Sequence, residues 1–280
     1  MMKLGISMYS YYRLWKAGAM SSVDFIETAR QIGADGVELL EPLWNDKDAE
    51  MNHVENALKR TGMPVGVYSV SNDFVSTSAT ERAANVQAIR VGVDTAVHLG
   101  AGVVRVFAGN TKDDITFNQA FQWIVEGLKE GADYAQTKGV KLALENHGML
   151  AGKSAQVKRI LEAVGSPALG ANPDTGNFLL MHEAPHEAVN VLAASANMVH
   201  FKDFKEVPES HEGPAYRSFD GLKYVGTAIG EGDVALESCV KELRAAGFDG
   251  WLNIEYEGAE DPLTALPRSI AYTRGLLGEI

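Results

Sequence analysis

Only one cysteine, Cys239, stands among the 280 residues. A lone thiol excludes internal disulfides and a cysteine-rich zinc site, and it fits a reducing compartment. It lies in an apolar, helix-like stretch, Val234–Ala246, which predicts a buried and inert thiol. Long hydrophobic runs are missing too. No stretch approaches the roughly 18–20 apolar residues that cross a bilayer, and Met1–Ser10, with one Lys before Tyr and Ser, does not read as a secretory signal. Basic residues are in deficit: 25 Lys and Arg against 37 Asp and Glu give a net charge of −12 and a pI near 5.1. That argues against a polyanionic partner, because neutralising phosphates takes clustered cations. The expectation is a soluble, cytoplasmic protein with no nucleic-acid or membrane partner.

What is present is ordinary globular material. Hydrophobic residues make up 46% and charged residues 22%, which excludes disorder and collagen-like repetition and supplies a large core. Short apolar, β-branched runs alternate with longer helical periods from end to end. The predicted strands are Leu4–Ser10, Gly36–Glu41, Val65–Ser71, Val103–Gly109, Lys141–His147, Ala168–Asp174, Met198–Phe204 and Trp251–Glu257. Glycines close the helical stretches before several of them, at Gly33, Gly62, Gly100, Gly139 and Gly247. Strand starts are 32, 29, 38, 38, 27, 30 and 53 residues apart. Eight βα units of that size predict an α/β fold, a single-domain (β/α)8 TIM barrel over residues 1–280. A doubly wound open sheet fits less well, since it normally carries a glycine-rich phosphate turn after its first strand. The long interval holds a Gly-, Pro- and Ser-rich segment near 205–232, read as a loop forming a lid over the active face.

Barrel chemistry sits at the C-terminal ends of the strands. There the sequence places Glu145 and His147, Asp174, His200 and Lys202, and Glu255 and Glu257, the pairs two apart sharing a face. Carboxylates gathered in one mouth repel one another unless a cation sits among them. A set of three oxygens and one nitrogen suits Mn²⁺, Mg²⁺, Co²⁺ or Zn²⁺ with positions left for water or substrate.

With these residues in view, the chain resembles the xylose-isomerase-like barrel superfamily of sugar isomerases and epimerases, which includes ketose 3-epimerases and inosose dehydratases. The resemblance runs from Leu-Gly-Ile-Ser and Gly-Ala-Asp-Gly-Val-Glu-Leu through Leu-Glu-Asn-His-Gly, Pro-Asp-Thr-Gly-Asn and His-Phe-Lys-Asp to the Gly-Glu-Gly-Asp turn at 230–233. It implies one divalent metal, Mn²⁺ first, held by Glu145, Asp174, His200 and Glu255, with Glu145 and Glu255 as the acid–base pair. The implied reaction is isomerisation or epimerisation of a sugar by proton abstraction next to a carbonyl, through a metal-stabilised enediolate. The alternative is a dehydratase of an inosose-like or 3-keto sugar with the same metal site. The substrate partner is a small carbohydrate, and barrels of this kind often assemble into homo-oligomers.

Two positions depart from the ketose 3-epimerase pattern. Asn177 stands where those enzymes carry His, and the first Arg after His200 is Arg217, inside the 205–232 segment. Lys202 is expected as a catalytic residue that polarises the carbonyl or protonates a departing hydroxide. His147, Asn177, Trp15, Trp44, Glu38 and Arg217 are the candidate substrate contacts. Three other patterns are set aside. His182-Glu-Ala-Pro-His186 mimics a zinc-protease helix, but Pro185 interrupts it. Gly148–Ser154 is one residue short of a phosphate-cradling loop, leaving Ser154 as a helix N-cap. Gly230-Glu-Gly232 is a turn. An abasic-site endonuclease on the same barrel needs further His and Asp ligands and a basic groove, which seven His and a charge of −12 do not supply.

Overall fold

The computed structural model describes residues 1–278. In chain order its strands are β1 (Lys3–Ser7), β2 (Gly36–Leu40), β3 (Val65–Ser69), β4 (Val103–Val106), β5 (Lys141–Glu145), β6 (Leu169–Asn172), β7 (Met198–Phe201), β8 (Phe204–Val207), β9 (Tyr216–Arg217), β10 (Lys223–Gly226) and β11 (Trp251–Ile254). The first seven and β11 form one parallel sheet in which β11 pairs with both β1 and β7. Ladder pairing runs unbroken from β6 through β5 and β1 to β7. Bridges Ala171–Ala196 and Asp174–His200 then bring β6 against β7, so the ring is nearly closed. The eight strands fall where the sequence places them, each ending one to three residues sooner, because the chain flares into loops beyond the last ladder bonds.

The outer layer is helical, and its boundaries follow local chemistry. Side chains of Ser21, Asp46, Ser78 and Thr116 accept hydrogen bonds from the first turns of the helices Ser22–Gln31, Lys47–Thr61, Ala79–Leu99 and Phe117–Thr137. The second and third of these stop at Gly62 and Gly100, whose φ of 69° and 77° is a left-handed conformation that suits glycine. Cys239 is buried on the helix Leu236–Ala245, and burial pushes its thiol up to about 12. Among the described residues no helix is long and apolar enough to cross a membrane.

The barrel interior changes character from bottom to top. At the N-terminal end the indole of Trp251 lies over Gly36 and Gly66, where a side-chain methyl would overlap its ring. Val67, Ala143 and Met198 pack with it in an apolar plug. Two residues further along each strand, on the same face, every strand turns polar: Ser7, Glu38, Ser69, Arg105, Glu145, Asn172, His200 and Asn253 are all buried. This change sets a rigid polar layer directly beneath the mouth.

The 205–232 segment is not the loop expected from its composition. β8, β10 and β9 make an antiparallel three-stranded sheet with Tyr224 opposite Glu206 and Tyr216. The charges at Lys205, Glu206 and Lys223 interrupt the apolar signal, while Phe204 and Tyr224 supply the buried anchors. Asp203 fixes the following turn, its carboxylate accepting from the backbone amides of Gly230, Gly232 and Val234. Gly232 is required there, since a Cβ would overlap Asp203.

Candidate metal centre and active site

His200, third residue of β7, is completely buried. Its Nε2 lies 3.0 and 3.1 Å from the two oxygens of Glu38. Its Nδ1 points to the opposite side, 3.2 Å from Glu145 Oε2 and 3.8 Å from both Asp174 Oδ2 and Glu255 Oε1. Glu145 closes β5, Asp174 lies two residues past β6, and Glu255 follows β11 directly. Ligand atoms of these four residues all fall within 4.8 Å of one another.

The residues between the ligands in the sequence motifs prove to be clamps. Asn146 accepts from the Asp174 amide at 2.5 Å and donates to the Asp174 carbonyl at 3.1 Å. Asn172 accepts from the His200 amide and donates to Glu145. Thr175 exchanges two hydrogen bonds with the Lys202 backbone. Asp174 Oδ1 accepts from the amides of Gly176 and Asn177, which leaves Oδ2 turned to the cluster.

Burial alone would push Glu145 up, but His200, then Arg105 and His147, hold it well below the usual carboxylate range. Asp174 goes the other way: burial outweighs the neighbouring Lys202 ammonium, and with Glu145 and Glu255 close by it is pushed up to about 7. Burial lowers His200, and the carboxylates of Glu255, Glu38 and Glu145 more than reverse this, leaving it well above its ordinary value.

Two buried atoms at the centre, His200 Nδ1 and Asp174 Oδ2, make no hydrogen bond. Lys202 Nζ lies 2.9 Å from Asp174 Oδ2, an ion-pair contact without hydrogen-bond direction. Unpartnered buried polar atoms and a three-oxygen, one-nitrogen ligand set fit a divalent cation. Both atoms would be satisfied by it.

Above the cluster opens a cavity of about 870 Å³. Glu145, Asn177, Lys202, Glu255 and Glu257 line its inner part, with His147, Trp15 and Arg217 among the other lining residues. Lys202 is a buried ammonium held between Glu255 Oε2 at 2.5 Å and Glu257 Oε1 at 2.6 Å. Asn177 donates to Glu145 Oε1 and to the Asn146 carbonyl, so it also orients a ligand. His147 is exposed at the rim with its ring 4.9 Å from that of Phe107. The Arg217 guanidinium is taken up by Glu209 and the Gly221 carbonyl.

Two expected substrate contacts lie elsewhere. Glu38 is sealed beneath His200, where it also accepts from Ser69 Oγ at 2.5 Å and Asn253 Nδ2 at 2.9 Å. A 3-10 turn, Glu41–Leu43, carries Pro42 and Leu43 to the cavity and sends Trp44 away, its Nε1 donating to Tyr68. Ser154 is the first residue of its helix rather than the cap, which is Lys153. Pro185 begins a new helix, so His182 and His186 do not share one.

Sequence reasoning overlooked Arg105, whose Nε lies 3.3 Å from Glu145 Oε2 and whose guanidinium stacks 3.9 Å above the Phe107 ring. The signal was present: one Arg inside the buried run Val-Val-Arg-Val. Tyr9 and Tyr216 were overlooked as well. Tyr216 donates to Glu257, and burial, with Glu257 and Glu255 nearby, pushes the Tyr9 phenol up to about 12.

A family model described as xylose isomerase-like TIM barrel matches residues 26–276. An inosose dehydratase from Geobacillus thermodenitrificans is 24% identical over 159 residues, 56% of this chain and 53% of that one. The chain thus spans about half the length of that relative. A 3-oxo-isoapionate decarboxylase from Pectobacterium atrosepticum is 25% identical over 259 residues, 87% of this chain and 81% of its own. In three dimensions a D-psicose 3-epimerase from Clostridium cellulolyticum, solved with D-tagatose, superposes with a TM-score of 0.76 over 99% of both chains at 14% identity, a likeness of fold.

Proposed function

The chain belongs to the xylose isomerase-like TIM barrel family, and from that membership we propose that it is a divalent-metal-dependent sugar isomerase or epimerase acting next to the carbonyl of a keto sugar. One observation carries this reading. Glu145 Oε2 and Glu255 Oε1, from strands three places apart around the ring, approach His200 Nδ1 to 3.2 and 3.8 Å at the floor of one cavity. Carboxylates reaching one point from different sides suit proton removal at one face or carbon and return at another.

Glu145, Asp174, His200 and Glu255 would hold the cation, Mn²⁺ first. When bound, it supplies positive charge that acidifies the C–H beside a coordinated carbonyl. The protein's own groups do the rest. One carboxylate takes the proton from that carbon, the electron pair moves toward the carbonyl oxygen, and the other carboxylate returns a proton to the opposite face or the neighbouring carbon. The buried floor strengthens each of these charge interactions. Tyr216, Arg217 and Phe219 bring the small sheet onto the mouth, in the role of a lid.

Lys202 favours a second reading, a dehydratase of an inosose-like or 3-keto sugar. Its ammonium, between Glu255 and Glu257, is a proton source for a hydroxide that departs with its electron pair after the same C–H cleavage. The names of the relatives include both classes. A panel of ketohexoses, inososes and 3-keto glucosides, incubated in D2O with Mn²⁺, separates the readings by mass. Isomerisation adds deuterium without losing water, whereas dehydration loses water. A substrate turned over with neither deuterium gain nor water loss overturns both readings.

A further inference from the structure

We propose that the outer half of the cavity holds a second ring of the substrate, an aromatic aglycone joined to the keto sugar through a glycosidic oxygen. This rests on the reading of the inner cluster as a keto-sugar site. A cavity of about 870 Å³ lies toward the top of the range of roughly 300–1,000 Å³ for sites that enclose drug-sized ligands. One sugar ring on the floor leaves its outer part unfilled.

The two walls of that outer part are apolar and built from separate segments. One is a run of stacked rings: Tyr9 and Tyr12 lie 5.4 Å apart at 19°, Tyr12 and Trp15 6.0 Å apart at 26°. They are spaced by three residues because the chain enters as a 3-10 turn, Met8–Tyr11, in which every third side chain eclipses, and continues as the short helix Tyr12–Lys16. The run begins beside the catalytic carboxylates, since the Tyr9 phenol feels Glu257 and Glu255. The facing wall is Met149, Leu180, Met181 and Phe219, tied together where the Phe219 amide donates to the Leu180 carbonyl at 2.7 Å. Phe219 is 65% exposed and Met149 42%. Large apolar side chains converging on a cleft mark a surface that gains by being covered.

The polar groups on this wall are already committed, which selects among second rings. The Arg217 guanidinium is paired with Glu209 and Gly221, and Ser218 Oγ donates to Asp220 and the Leu222 carbonyl. Along the Phe219 wall a second sugar's hydroxyls would find no free partner, the unpartnered Trp15 Nε1 lying on the opposite wall, and a phosphate would find its cation taken. An aromatic ring asks for neither and stacks well on Tyr, Trp and Phe.

The test is equilibrium binding of phenyl glucosides, methyl glucosides and cellobiose to the metal-loaded protein, read by calorimetry. None carries the keto group, so turnover does not enter. We expect phenyl glucoside to bind about tenfold tighter than methyl glucoside or cellobiose, a difference of about 1.4 kcal/mol. Phe219→Ala and Met149→Ala, both at exposed positions, should each reduce that preference by threefold or more. Equal binding of phenyl and methyl glucosides overturns the outer site and leaves the inner sugar reading standing. Cellobiose binding as tightly as phenyl glucoside overturns the aromatic aglycone in favour of a second sugar. Phenol binding as tightly as phenyl glucoside, with no binding of methyl glucoside, defeats the inner sugar reading and this proposal with it. A Phe219→Ala protein that changes its sedimentation and not its aryl preference makes Phe219 a subunit contact, which also overturns the proposal.

Discussion

Glu38 and His200, 162 residues apart in sequence, meet in the fully buried layer under the active-site mouth, with the imidazole Nε2 3.0 Å from the carboxylate. Burial would raise Glu38, but the charge and hydrogen bond of His200, with Arg105 and Ser69, leave it lowered and therefore ionised. An ionised carboxylate only accepts, so Nε2 carries the proton and Nδ1 is left for the cluster. The carboxylate thus selects which nitrogen is available as a ligand.

Glu38→Gln should therefore weaken divalent metal binding by about 10–100-fold while the mutant stays folded. Competition against a fluorescent chelator measures this directly. Unchanged affinity would reduce Glu38 to packing.

Metal binding should release protons and tighten as pH rises. Without metal, His200 sits well above its ordinary value and Asp174 at about 7, so both carry protons at and below neutral pH. A ligating nitrogen or carboxylate must give its proton up, and affinity then rises by up to about tenfold per pH unit for each proton displaced between pH 6 and 8. Calorimetry in buffers of different ionisation enthalpy counts the protons. A flat pH profile with no release would contradict the assigned ligands.

The eightfold βα rhythm was readable because each strand is short, apolar and bounded by Gly, Pro, Asn or Asp, and because one imidazole and three carboxylates sit at consecutive strand ends. The polar layer beneath them was not. Ser69, Asn172 and Asn253 each look like ordinary turn or strand residues alone, and only closure of the ring places them against Glu38, Glu145 and His200. Trp44 was misplaced for a local reason: the 3-10 turn at Glu41–Leu43 rotates the chain before it reaches the indole. The small sheet was hidden because its strands are two to four residues long and heavily charged.

Lys202→Met should destabilise the metal-free protein far more than the loaded one. It removes the ammonium from Asp174, Glu255 and the half-buried Glu257 and leaves these carboxyl groups without its charge, a loss of about 3–5 kcal/mol, or of order 10 °C in Tm. Added divalent metal replaces the missing positive charge, so part of the loss should return in its presence. Thermal melts with and without Mn²⁺ decide this. An unchanged metal-free Tm would mean that Lys202 has no structural share in the cluster.

The last prediction concerns the floor of the barrel, which holds the site without touching it. Trp251 fits only because Gly36 and Gly66 have no side chain beneath its ring. Gly66→Ala drives a methyl into the indole, and overpacking of this kind costs about 1–3 kcal/mol. Trp251→Phe shrinks the ring and, by itself, leaves a void whose cost rises with its volume. Each single change should lower the Tm, but the double variant should be more stable than the sum of the two losses implies, because the methyl occupies space that the smaller ring vacates. A double-mutant cycle by thermal or urea unfolding measures the coupling. Since Trp251 is two residues from Asn253, which donates to Glu38, the single variants should also loosen metal binding and the double variant should restore it. Additive losses would show that the glycines serve the backbone and not the indole.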